Sequence, residues 1–269
     1  MSTDVLTHRL AVSSAVGTAA LKGAAQFWFA VTVIGQWAFL YYILAFYGNS
    51  SLQGNFQAWT RNPHLLKGYV PGDTAGNLAF AAHALLAAVI AFGGAIQLVP
   101  QIRARAISVH RWNGRLFLVT AFAVSVSGLY LVWVRGARGS VSGSVGISLD
   151  AVLILLFGAL AWRAALARDV SGHRRWALRT YMVANGQWFL RVGMIAWMVL
   201  DQGQDRGFYR FWNFGCYLVP LAVLELYNRA RESGSSSARY ATAGGLIVLT
   251  VFMSIGIFGL TMFYGEILN

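Results

Sequence analysis

Residues 240–265 read YATAGGLIVLTVFMSIGIFGLTMFYG, a stretch without a single Lys, Arg, Asp or Glu. A helix needs about 20 such residues to cross the hydrocarbon core of a bilayer. The runs 23–60, 74–102 and 116–134 are equally free of charge. The chain as a whole is 57% hydrophobic and 11% charged, where a soluble domain carries about 25% charged residues. Its apolar residues come in long runs rather than in one-sided stripes. The fold class is therefore all-α: a polytopic integral membrane helical bundle.

Seven spans fit, at about 24–47, 78–100, 112–134, 143–163, 178–200, 208–228 and 241–264. Residues 1–23 do not read as a cleaved signal and are expected to form a cytoplasmic or interfacial segment. Residues 24–269 are then a single seven-helix transmembrane domain. The basic residues orient it. With the N-terminus inside, fourteen of the twenty-one Lys and Arg fall on the cytoplasmic side, among them Arg103, Arg105, Arg111, Arg115, Arg174, Arg175 and Arg179. Six fall outside (Arg61, Lys67, Arg135, Arg138, Arg206 and Arg210), and Arg191 is inside a span. That asymmetry gives N-in and C-out.

The net charge of +12 gathers at span ends, so anionic lipid headgroups are the expected partner and nucleic acid is not. The bacterial cytoplasmic membrane is the expected location. There is no Walker loop, no dinucleotide fingerprint and no Cys-x-x-Cys, so nucleotide-driven catalysis has no support. Cys216 is the single cysteine, which rules out an intramolecular disulfide. The segment 48–77, with Asn62-Pro63-His64, is long enough to cap the outer mouth of the bundle. Residues 232–237 read as a flexible linker.

Two near-copies of one phrase open two of these spans: Ser108-Val-His110-Arg111 and Ser171-Gly-His173-Arg174. Each follows a Phe-Gly pair, Phe92-Gly93 and Phe157-Gly158. Spans two and three would thus form one hairpin and spans four and five its parallel copy, giving a four-helix core over about 78–200. Ser108 and Ser171 are candidate N-caps, which puts His110 and His173 in first helical turns.

Helical spacing sorts the polar residues of the spans into two layers. The inner layer holds Gln97, His110 and His173; the outer holds His83, Asp150, Gln187 and Arg191. An ion pair between Asp150 and Arg191 is the expected structural contact, since an unpaired charge in a bilayer is costly. Glu225 is expected to meet a loop arginine. His8 and His64 read as surface residues.

Two imidazoles on different helices at one depth supply the two axial ligands that haem b requires. Arg111 and Arg174 would then meet its propionates. The same imidazoles and arginines equally suit lipid phosphate at a membrane surface. Zinc is disfavoured, because no local cluster of His, Cys and acidic residues exists.

The run Gln97-Leu-Val-Pro100, then His110-Arg111-x-x-Gly114-Arg115 and Gly128-Leu129-Tyr130, resembles a bacterial family of predicted membrane proteins of unknown function with paired His-Arg motifs (domain of unknown function 2306). Its second signature is similar to His173-Arg174-Arg175-Trp176, Arg179-Thr180-Tyr181 and Leu190-Arg191, and its upstream span histidine matches His83. The likeness covers about residues 78–200. It implies a fold and no activity. Asn185-Gly186-Gln187-Trp188 departs from the family's small, apolar stretch. A looser likeness is to dihaem membrane cytochromes, which carry four ligand histidines in two layers; here the outer layer has His83 alone.

The functional expectation is a membrane b-type haem protein moving electrons between a quinol or cytoplasmic donor and an acceptor, a membrane oxidoreductase or electron-transfer protein. His110 and His173 would ligate iron and a quinone would be a candidate second ligand. Two alternatives stay open: a non-enzymatic binding or transport protein with a polar pocket around His83 and Arg191, and a structural subunit of a membrane complex. The oligomeric state is open as well.

Overall fold

The computed structural model describes residues 3–62, 67–137, 139–201 and 206–268, with side chains from Ser14 onward and, in the last stretch, from Gly207. His64 and Arg138, and the side chains of His8, Arg9 and Arg206, lie outside what is described. The elements are α1 Thr3–Tyr42, a π-helical turn Ile43–Gly48, α2 Asn49–Leu52, a 3-10 turn Phe56–Arg61, α3 Thr74–Leu98, α4 Pro100–Arg105, α5 Ile107–Trp133, α6 Val141–Leu166, α7 Val170–Ala184, α8 Gly186–Asp201, α9 Arg206–Glu232 and α10 Ser236–Leu268. Every regular element among the described residues is helical. Five helical stretches are long and apolar enough to cross a membrane: 14–52, α3, α5, α6 and α10.

Local chemistry sets the boundaries. Val99 is extended ahead of Pro100, which ends α3 and starts α4, as a proline's steric demand on the residue before it requires. Asp73 caps α3 by accepting from Gly76 N at 2.9 Å, and Ser140 caps α6 by accepting from Gly143 N at 3.1 Å. The expected caps of α5 and α7 are corrected. Ala106 precedes α5 without a side-chain cap, and Asp169, not Ser171, caps α7 by accepting from Gly172 N at 2.9 Å. Ser171 instead donates its hydroxyl to the Asp169 carboxylate. The histidines still occupy matched first turns: His110 N bonds Ala106 O at 3.1 Å and His173 N bonds Asp169 O at 2.9 Å.

The expected fifth span, 178–200, is two helices rather than one. The α conformation lapses at Asn185 (φ −96°, ψ 5°), and α8 restarts at Gly186. The sixth, α9, carries Pro220 inside the helix. Residues 3–42 form one helix, with no break at the expected boundary near residue 23. The linker after α9 is a short turn, Ser233–Ser235, and Arg239 closes it by donating to Ser233 O and Ser14 Oγ.

The helices run back and forth between two ends. The basic end collects the starts of α5, α7 and α10; the other end collects the starts of α3, α6 and α9. At this second end the polypeptide folds over itself: Trp59 is fully buried against Tyr47, Phe56 and Phe80, and its indole donates to Ser50 Oγ at 2.7 Å. The expectation that 48–77 covers a mouth of the bundle is met to that extent. Arg135, counted among the outer-side cations, is buried there and donates to Gly76 O and Asn77 Oδ1 beside Asp73, so the end of α5 clamps the start of α3.

Consecutive helices pair as antiparallel neighbours, α3 on α5, α5 on α6, and α6 on α7, while α10 packs along both α1 and α8. Small residues allow the closest approaches. A Cβ at Gly35 of α1 would meet Trp188 and Ile257, and one at Gly256 of α10 would run into the Val192 carbonyl of α8. Contacts of this kind hold helices together where lipid offers no hydrophobic drive.

Candidate functional site

The first three turns of α8 are largely enclosed. Trp188, Phe189, Leu190, Val192, Gly193 and Ala196 are buried, yet Arg191 between them is exposed. Its guanidinium lies over the Phe39 ring of α1, 5.5 Å from the centroid. It is also near enough to act electrostatically on His83 of α3 and on Tyr264 of α10. Three helices besides its own therefore converge on one cation. Within the described residues its hydrogen bond is to the Gln187 carbonyl, one turn back, at 2.7 Å.

The expected Asp150–Arg191 ion pair is not formed. Asp150 of α6, 1% exposed, instead receives the Gln187 side-chain amide at 3.5 Å. The geometry of α8 accounts for this: Gln187 reaches towards α6, whereas Arg191 swings towards α1 and α3. A guanidinium left without a carboxylate keeps most of its planar donor fork for another acceptor.

Aromatic rings line the approach. Tyr264 stacks on Tyr42 with centroids 3.8 Å apart and packs against Phe39 at 6.1 Å. The Tyr264 hydroxyl is enclosed without a hydrogen-bond partner. His83 holds Ser127 Oγ at 3.1 Å through Nδ1, and that hydroxyl donates onward to Val124 O at 3.2 Å. Ser127 thus accepts from Nδ1–H, which leaves Nε2 of His83 as the ring's acceptor. Gly128 makes room for the imidazole, since a Cβ there would fall 3.3 Å from His83 Cε1.

Ahead of Arg191 in the chain, the break between α7 and α8 is held by a buried polar cluster that the sequence reading missed. Gln36 of α1, fully buried, donates to Tyr181 Oη at 3.1 Å and to Asn185 Oδ1 at 2.8 Å. Asn185 donates in turn to the Tyr181 carbonyl at 2.8 Å. A signal existed: Gln36 is the one amide between Gln26 and Asn49 in the charge-free run 23–60, and Asn185 opens the segment that departs from the family pattern.

At the basic end, two of the expected inner-layer residues meet directly. The Gln97 amide donates to the His110 carbonyl at 2.8 Å. His110 and His173 lie within electrostatic reach of each other. His173 Nδ1 meets Ala161 O at 3.0 Å; a carbonyl only accepts, so Nδ1 carries the proton and Nε2 a free lone pair. His110 Nδ1 is enclosed without a partner. Arg111 and Arg174 are exposed. The two hairpins also repeat a cation over an indole, Arg115 on Trp112 and Arg179 on Trp176, each at 4.9 Å. Glu225 pairs with Arg179 at 2.8 Å, an arginine of helix α7 rather than the expected loop arginine.

Two shallow surface hollows, one bordered by Trp133 and Ser140 and one by Trp112 and Asn113, are lined by uncharged residues. Among the described residues, no group of three or more His, Cys, Asp or Glu is placed to hold a metal ion.

No curated protein and no solved structure matches the chain. The profile of a family described as predicted membrane protein (DUF2306) matches residues 80–228, the stretch from α3 to α9 that carries His83, both His-Arg motifs, Asp150 and Arg191. The chain is a member of that family and an integral membrane protein.

Proposed function

We propose that the chain is a seven-span membrane binding or transport protein whose site is the Arg191 pocket, and that it takes an organic anion: a carboxylate or phosphate carried on an apolar body. The observation that carries this reading is an exposed arginine on a largely buried helix, over the Phe39 ring and within electrostatic reach of His83 and Tyr264, with no carboxylate partner among the described residues. Ionisable groups at membrane depth are costly and mark ligand or ion paths. The guanidinium fork supplies the anion contacts, and the Phe39–Tyr42–Tyr264 wall suits an apolar or aromatic body. A helix interrupted beside the site is a recurrent arrangement in transporters.

In this reading α7 with α8, and α9, are the two spans beyond the five apolar ones. The basic end faces the cytoplasm and anionic lipid. The test is binding of benzoate, decanoate, inorganic phosphate and phosphatidylglycerol vesicles to detergent-purified protein. Saturable binding of a carboxylate that is lost in Arg191→Met supports the reading. Response to phosphatidylglycerol alone would identify a lipid headgroup as the source of the anion. No saturable binding by any of the four would refute it.

A second reading rests on the histidine pair. His110 and His173 come from α5 and α7 at matched first turns, and His173 keeps Nε2 available for a metal. These features favour haem b between them, with Arg111 and Arg174 at its propionates and a quinone or another redox partner for electron transfer. An absorption spectrum of protein from haem-replete cells decides it. Reduction by dithionite must produce sharp α and β bands, absent in His110→Ala and in His173→Ala; a colourless protein ends the reading.

A further inference from the structure

The carboxyl of Asp150 is buried and only half satisfied among the described residues. It is 1% exposed, in the middle of α6. Its Oδ2 has the Gln187 amide at the long distance of 3.5 Å, and its Oδ1 is enclosed with no hydrogen-bond partner. It sits against the first turn of α8: a Cβ at Gly186 would fall 2.6 Å from Oδ2 and 3.0 Å from Oδ1, so a side chain at that position would displace it. α9 brings Tyr217, whose hydroxyl is also enclosed without a partner and which feels the Asp150 charge, with Cys216 beside it. α8 brings Gln187 and, one turn on, Arg191. α5 and α7 bring no titratable side chain into a hydrogen bond or ion pair with it among the described residues.

We propose that Asp150 is a proton-carrying carboxyl whose protonation is tied to anion binding at Arg191, so that one proton enters the bundle with each anion. The proposal rests on the anion reading above. Gln187 joins the two groups, with its side-chain amide on Asp150 and its main-chain carbonyl on the Arg191 guanidinium.

Charge neutrality supplies the coupling. With the anion away, an ionised Asp150 balances Arg191 across Gln187. When an anion neutralises Arg191, a second negative charge in the same apolar interior is unfavourable. The Asp150 carboxylate then takes up a proton, forming one O–H bond. The site holds one positive and one negative charge in either state. The unfilled Oδ1 is the atom for that proton, and Tyr217 is the neighbouring group that feels the charge the proton removes.

Two measurements test this, and they separate the proton from the anion. Infrared spectra of protein in lipid, in H2O and D2O, must show a carboxylic acid C=O band that appears or grows with benzoate and is missing in Asp150→Asn. Benzoate added to weakly buffered wild-type protein must take up about one proton per anion bound, with affinity falling roughly tenfold per pH unit once Asp150 is ionised in the free protein. Any binding left in Asp150→Asn must take up none. Benzoate binding without proton uptake, or a band that survives in Asp150→Asn, overturns the proposal. Failure of benzoate to bind at all overturns the coupling together with the Arg191 reading, while the infrared band still decides whether Asp150 holds a proton. Should Asp150→Asn not fold, Tyr217→Phe must shift the band; an unmoved band overturns the assignment.

Discussion

The side-chain amide of Gln36 donates to Asn185 Oδ1 at 2.8 Å, which fastens α1 to the residue at which α7 gives way to α8. The two positions are 149 residues apart in the chain. Through this bond and the Gln36–Tyr181 bond, the first helix holds the interruption that precedes Gln187 and Arg191.

Replacing Gln36 by Leu leaves the Tyr181 hydroxyl and the Asn185 amide oxygen without their shared partner in a dry interior. The expected cost is about 1–2 kcal/mol, read as a lower thermal midpoint in detergent. Anion affinity should fall as well, because the start of α8 is no longer held. A Gln36→Leu protein as stable as wild type would show that the cluster is not holding the break.

Gly256 is required by close approach. A Cβ there would meet the Val192 backbone carbonyl, which cannot move aside as a flexible side chain could. Gly256→Val should destabilise by about 1–3 kcal/mol through overpacking, whereas Gly244→Val, with open space around it, should leave the melting curve unchanged. Equal midpoints for the two variants would contradict the α8–α10 packing.

The five long apolar helices were legible because long apolar runs are hard to accommodate any other way, and the starts of α5 and α7 were legible because the Ser-x-His-Arg phrases recur. That Gln97 would come near His110 also followed from spacing, and its amide meets the His110 carbonyl. Three features were not readable. Asp169 caps α7 two positions ahead of the serine that looked like the cap, because several short polar residues compete for that role. The break at Asn185 lies within an apolar pattern that continues on both sides, so periodicity runs through it. Gln187 and Arg191 share one face of α8, yet their side chains part, Gln187 to Asp150 and Arg191 to Phe39, a choice made by tertiary packing that no local pattern encodes.

Asp169 offers a check by pH. Its carboxylate accepts from the Gly172 amide and the Ser171 hydroxyl and lies near Arg175, which together hold its pKa below the usual carboxylate value. A depressed folded-state pKa contributes stability that is present above the unfolded pKa, about 3.9, and is lost as pH falls through the lower folded value. Asp169→Ala should therefore melt below wild type at pH 7. The gap should narrow as the pH is taken down below about 4. A gap that stays constant down to that pH would mean that the charged cap is not the source of the difference.

The most direct test of the Arg191 pocket is a benzoate binding isotherm on detergent-purified wild-type protein beside Arg191→Lys and Arg191→Met. Lysine keeps the charge but not the planar fork. The expected order is wild type tightest, Arg191→Lys weaker, and Arg191→Met weaker than wild type by about ten- to a hundredfold, the range that loss of a charged hydrogen bond implies. Identical isotherms for wild type and Arg191→Met would contradict the account.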